Sequence, residues 1–375
     1  MTLFRLKAPL DRLYREFDWA GRTGKDAIQF PLRYSDPRDR EVVALLTACL
    51  SYGRVDLFAP WVEWILARMT PAPARFILDF DPEQASARFR GFRYRFNRPR
   101  DIAAFCLACQ RVLHSHGSLR AAFLSGYSSD DPDVAPALER FVRGFRSQDL
   151  RPIFPKGRPS RGYRHLFPLP STGGPCKRLH LFLRWMVRRE PPDFGLWPEV
   201  PPAKLLVPVD THVENMCRAI GLTRRKGRNW TMVQEITRNL KLLDPDDPVK
   251  YDFSLCHKRM SGGCRDRREP VICEPCGLRG VCTHWVGRGK RHGAGPAVHE
   301  AKTSPDPEIA ASSIARGPAG RAAGYPRRRR GCDPRRPQRG SPHRAGVRGR
   351  WGLIAATGPA GPFGAGGWLQ ARRQR

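Results

Sequence analysis

From the first residue to about residue 260, apolar side chains return every three or four positions and never alternate one by one. The pattern is plain in DREVVALLTACLSYG (39–53), LFAPWVEWILARM (57–69), DIAAFCLACQRVLHSHG (101–117) and DVAPALERFVRGF (133–145). It continues in CKRLHLFLRWMVRR (176–189), NWTMVQEITRNLKLL (229–243) and DPVKYDFSLCHKRM (247–260). Such spacing gathers the apolar groups on one helical face, whereas a half-buried strand needs period two, so the chain reads as all-α. The stop signals agree: Gly117 can end one helix, Ser118 can cap the next, and Gly221 closes THVENMCRAIG. No internal repeat is visible.

Other classes fall away quickly. The opening MTLFRLKAPLDRLYREF mixes charges and a proline into its apolar residues, and no later run approaches the ~18 apolar residues of a membrane span. The expectation is a cytoplasmic protein, of the bacterial cytosol or nucleoid, with no membrane partner and a monomeric state. Charge then suggests the partner. Lys and Arg number 67 against 35 Asp and Glu, and a field of that sign attracts polyanions through counterion release. Residues 284–375 hold 19 of the basic and 4 of the acidic side chains, so residues 1–283 keep a net +17 and are basic in their own right.

Composition changes at about residue 286. Segments such as YPRRRRGCDPRRPQRG and GPAGPFGAGG show neither helical nor strand periodicity, and this end carries 17 of the 35 glycines. The reading divides the chain into a helical body of two lobes, 1–285, and a disordered Arg/Gly/Pro/Ala-rich tail, 286–375. The tail fits a basic arm that grips nucleic acid. It fits better a non-native reading of GC-rich sequence, as after a frameshift.

At the end of the body, CRDRREPVICEPCGLRGVC (264–282) packs four cysteines into nineteen residues. In a reducing compartment closely spaced cysteines point to metal rather than to disulfides. The spacing C-x8-C-x2-C-x5-C makes Cys264, Cys273, Cys276 and Cys282 a candidate four-thiolate shell, which suits zinc and iron–sulfur alike. Cys106 and Cys109 also form a C-x2-C, but within an apolar helical pattern that marks them as core, as expected for Cys49 and Cys217. Four arginines interleave the loop: Arg265, Arg267, Arg268 and Arg279.

Three segments, in order, resemble the helix-hairpin-helix DNA glycosylases of the endonuclease III superfamily. GGPCKRLHLFLRWMV (173–187) resembles the segment in which a glycine-rich hairpin turn precedes the catalytic lysine. LVPVDTHVENMCRAIGL (206–222) resembles the catalytic-aspartate segment. The four-cysteine run is similar to the C-x6-C-x2-C-x5-C loop that holds a [4Fe–4S] cluster, with its first spacing two residues longer. The combination of FLRWMVR, a proline-rich insertion, VPVDTHV and DPVKYDF is closer still to an uncharacterised bacterial branch of that superfamily.

The resemblance implies a two-domain helix-hairpin-helix fold with a C-terminal four-cysteine metal loop. It implies a DNA-binding protein of base-excision-repair type, a DNA glycosylase with or without an AP-lyase step, acting on a flipped base in damaged double-stranded DNA. Lys177 falls at the lysine position and Asp210 at the aspartate position. Gly173 and Gly174 would present backbone N–H groups to a phosphate, and Arg178, Arg265, Arg267, Arg268 and Arg279 would face DNA. The implied cofactor is [4Fe–4S], with zinc as the alternative. The alternative function is a non-catalytic nucleic-acid-binding module that keeps the fold and the metal-stapled loop.

Two departures qualify this picture. Pro175 stands where the hairpin's second glycine belongs, and proline supplies no N–H. The insertion REPPDFGLWPEVPPAKL (189–205) is read as a proline-rich surface loop, with Trp197 as a candidate stacking residue beside Tyr52, Arg54, Arg184 and Trp185 in the pocket wall. Taken singly, Asp210 before a helix is an ordinary N-cap and Lys177 in a first turn an ordinary solvated residue.

Overall fold

A computed structural model describes residues 3–286. Helices follow one another along the described chain, and the only pairing of extended backbone among these residues is an isolated bridge between Tyr94 and Asn97. The fold is all-α. No described helix is long and apolar enough to cross a membrane. The tail assigned to 286–375 lies, apart from Val286, outside the described residues.

Two helices form the centre. Pro37–Leu50 starts where the Asp36 carboxylate accepts from the Arg38 and Asp39 amides, with Pro37 at its first position, and buries every residue from Glu41 to Leu50. Lys177–Val187 buries every residue from Arg178 on and packs against it. A helix apolar on one face lies on a surface, whereas one buried all round belongs in a core. Around the pair stand Val55–Leu66, Pro99–His116, Leu119–Leu124 and Ala135–Arg146. Gly117 ends Pro99–His116 in the left-handed region at φ 80°, and Ser118 caps Leu119–Leu124 by accepting from the Ala121 amide.

The C-terminal part is built from Thr211–Ala219, Trp230–Lys241 and Asp252–Met260. The last begins five residues later than the apolar spacing suggests, because Asp247 is drawn elsewhere: its amide donates to Asp244 and its carboxylate receives Arg188. The first thirty residues, for which the sequence offered no role, clasp this helix. Tyr251 donates to Asp11 at 2.6 Å, and His257 meets Asp26 at 3.0 Å.

The insertion 189–205 is not a surface loop. The amides of Phe194 and Trp197 donate to the carbonyls of Trp185 and Met186 at 2.8 and 2.9 Å, filling acceptors that the end of the Lys177–Val187 helix leaves open. Trp197 is fully buried. Its indole N–H donates to Glu41 at 2.7 Å, and its ring stacks on Phe123. It is therefore a core anchor, not a stacking residue in an open pocket; a large ring with one polar edge is most stable where that edge finds a buried acceptor.

Candidate active site

The N-terminal ends of two helices bring the lysine and aspartate candidates together. Lys177 is the first residue of its helix and Asp210 is the cap of Thr211–Ala219. Lys177 Nζ stands 3.8 Å from Asp210 Oδ2, each side chain about a quarter exposed. The carboxylate divides its work between its oxygens. Oδ1 accepts from the amides of His212 and Val213 at 2.8 and 2.9 Å, which fixes the rotamer, while Oδ2 is left to face Lys177. Capping and reaction are thus compatible uses of one residue.

The backbone leading to Lys177 is bent twice into the left-handed region. Gly173 has φ 76°, which suits glycine, and Cys176 has φ 43°, which a residue with a Cβ seldom adopts. Strain of this kind persists only where surrounding packing enforces it, and here the Cys176 side chain is buried. Burial pushes its thiol up to about 12, so it is a packing group. Gly173 is exposed and Gly174 half-buried.

Arg178 does not reach outward with them. It is buried, donates to the carbonyls of Cys49 and His165, and lies 5.2 Å over the ring of Tyr52. A guanidinium committed to two carbonyls holds the wall behind Lys177 and is not free to meet a phosphate. Tyr52 forms that wall. Arg54 is exposed and paired with its neighbour Asp56, and Trp185 is buried.

Two residues not among the catalytic candidates complete the polar floor. Asp252 and Cys256 sit four residues apart on one face of Asp252–Met260. Cys256 Sγ is 3.8 Å from Asp210 Oδ2. Burial pushes the Cys256 thiol well up, with Asp210 and Asp252 adding to the rise, so it stays protonated and can donate weakly to Asp210. Asp252 is buried and joined to Arg184 Nη1 at 2.5 Å. Arg184, a suggested wall residue, is therefore a buried ion-pair partner. The i, i+4 spacing of Asp252 and Cys256 within DPVKYDFSLCHKRM was the available signal; what it lacked was any indication of which helix that face meets. His212 is half-buried, and burial lowers its imidazole below the ordinary range, Asp210 opposing.

The cysteine loop is fastened to the same two helices. Arg259 pairs with Asp266, and Thr283 donates through both its amide and its hydroxyl to Ala219 O at 2.7 and 3.0 Å. Cys264, Cys273, Cys276 and Cys282 are free thiols, each half-buried. Cys264 and Cys276 lie close enough to Cys282 to raise its thiol, though burial contributes more. Cys273 turns towards its own loop, receiving the Glu269 amide at 3.4 Å. Among the described residues no three His, Cys, Asp or Glu side chains stand in a geometry ready to hold a metal ion. The donor set is nonetheless chemically suited to a four-thiolate centre: four unoxidised sulfurs on one short loop, two of them near enough to Cys282 to act on its thiol.

All four loop arginines are exposed. Arg265 and Arg267 make only long contacts with Glu269, 3.6 and 3.5 Å. Arg268 and Arg279 lie over the ring of Trp285 at 4.4 and 5.4 Å. Cation–π stacking of this kind holds a guanidinium in place without neutralising it.

A family model described as protein of unknown function (DUF2400) matches residues 26–261, well over half of the chain, and the chain belongs to that family. No curated protein and no solved structure matches it.

Proposed function

Starting from membership of a family whose own description assigns no activity, we propose that the chain is a base-excision-repair protein of the helix-hairpin-helix glycosylase type. It acts on a flipped base in damaged double-stranded DNA through Lys177 and Asp210. The observation that carries the proposal is their meeting at 3.8 Å from helix starts more than thirty residues apart, both still reachable from solvent. A lysine beside a carboxylate oxygen that no backbone amide claims can hand over its proton, and the same carboxylate then faces the cation that develops on the sugar.

In the lyase form, Lys177 Nζ bonds to C1′ as the bond from C1′ to the base nitrogen breaks. The base leaves with the electron pair and takes up a proton, and ring opening gives an iminium that borohydride reduces to a stable amine. In the monofunctional form, water attacks C1′ and gives its proton to Asp210. Both routes require a base swung out of the stack. Arg265, Arg267, Arg268 and Arg279, with the exposed turn at Gly173 and Gly174, supply the outward positive and N–H groups for backbone phosphates. Cys264, Cys273, Cys276 and Cys282 would hold a [4Fe–4S] cluster, or zinc, whose contribution is to rigidify the arginine loop.

The test is a nicking and trapping assay on a panel of damaged duplexes. Lys177→Ala should abolish the borohydride-trapped adduct. Asp210→Asn should slow base release at least a hundredfold while damaged-DNA binding and stability hold, because asparagine caps a helix nearly as well. Equal rates for Asp210→Asn and the wild type on a substrate the wild type cleaves would remove the catalytic assignment. A wild type inactive on the whole panel but binding DNA in a salt-sensitive way would be the non-catalytic module instead.

A further inference from the structure

Asp252 lies one helix away from the Lys177–Asp210 pair and takes no part in the chemistry above. The residue is 3% exposed. One oxygen meets Arg184; the other, Oδ1, is buried with no hydrogen-bond partner. Arg184 shares its charge with Asp193, which also receives Arg188, and Arg188 in turn meets Asp247. Two guanidiniums therefore serve three carboxylates. Asp252 is the member with an unsatisfied oxygen, and its helix packs on Thr211–Ala219 so that Cys256, one turn along the same face, stands 3.8 Å from Asp210 Oδ2.

We infer that Asp252 is a third charged member of the Lys177–Asp210 site, a positioning carboxyl whose gain or loss of a proton changes the field acting on Lys177 and on any cation formed beside it. Burial pushes its carboxyl up to about 6; Arg184 opposes this, Asp210 adds to it, and Lys177 opposes it again. The other titratable groups facing this region are Cys217 and Cys256, the Asp26–His257 pair, and His212. The sign follows from the charges. Above about pH 6 Asp252 is an anion and favours the cation that develops at C1′ and on the iminium nitrogen; below it the carboxyl is neutral and that help is withdrawn.

The electrostatic link can be tested without any reaction, whereas its kinetic consequence rests on the glycosylase reading. The full chain is reductively methylated with ¹³C-formaldehyde, and the Lys177 signal, identified by its loss in Lys177→Arg, is followed by NMR against pH. The expected result is a step centred at about pH 6 that persists in Asp210→Asn, His212→Gln and His257→Gln and vanishes in Asp252→Asn. A flat wild-type trace, or a step that survives Asp252→Asn, overturns the inference. Should Asp252→Asn fail to fold, the wild-type trace and the two histidine variants still decide. In the kinetic arm, borohydride trapping on an abasic duplex should rise through pH 6 in the wild type. In Asp252→Asn it should be flat on the acid side and roughly tenfold lower at neutral pH. A wild type that traps nothing at any pH counts against the glycosylase reading alone, leaving the NMR step as the measure of the coupling.

Discussion

Lys177 and Arg184 lie seven residues apart on one helix, two turns along the same face, yet their surroundings are opposite. Arg184 is 2% exposed and locked between Asp193 and Asp252, beside Arg188 with its own two carboxylates. Lys177 has a single carboxylate, Asp210, 3.8 Å away, and about a quarter of both side chains meets solvent. One helix thus carries an open ion pair at its start and a closed network two turns on. A charge left alone in the interior costs several kcal/mol, so each buried guanidinium is held between carboxylates. A charge near water can be left partly answered at little cost.

The largest effect is expected at the buried end. Asp193→Ala should leave Arg184 and Arg188 short of their common anion, and urea denaturation should report a loss of about 3–5 kcal/mol. A loss below about 1 kcal/mol would mean that the cluster relaxes or admits water more readily than its burial implies. A smaller, pH-dependent effect belongs to His180, one turn beyond Lys177. It is fully buried, neither ring nitrogen has a hydrogen-bond partner, and burial lowers its imidazole from 6.5 to about 3. With the folded value below the unfolded one, the contribution of neutral His180 is whole above pH 6.5 and is lost as pH falls from 6.5 towards 3. The slope is about 1.4 kcal/mol per pH unit. His180→Leu should flatten that part of the pH–stability curve; an unchanged slope would place the acid sensitivity elsewhere. The smallest effect is expected at the open end. Lys177→Ala should change stability by no more than about 0.5 kcal/mol, because a partly exposed ion pair contributes little; a larger loss would make Lys177 a structural residue.

The elements of this fold were legible from spacing alone because helices announce themselves locally. The cap at Ser118 and the left-handed stop at Gly117 required only neighbours in sequence. What spacing could not reveal was depth. Trp197 and Asp193 sit in a run of prolines that reads as surface, and only the open carbonyls of Trp185 and Met186, together with Glu41, explain why that run turns inward. Arg178 illustrates the same limit from the other side, since its cationic type suggested a phosphate and its position supplied two carbonyls. Lys177 and Asp210 were visible as segments, but their separation is a tertiary fact. Asp252 was hidden because a lone aspartate at a helix start is common, and its character comes from charges on other helices.

The insertion has a consequence for ancestry as well as for stability. Asp193 is the anion common to Arg184 and Arg188, so the segment and the two arginines form a unit that can be gained or lost only together. A relative that lacks residues 189–205 should carry uncharged side chains at the positions of Arg184 and Arg188, or borrow a carboxylate from another segment. Trimming the segment in the laboratory should likewise succeed only when both guanidiniums are removed with it. Covariation among these three positions, rather than constancy at any one of them, is the trace this packing should leave in the family.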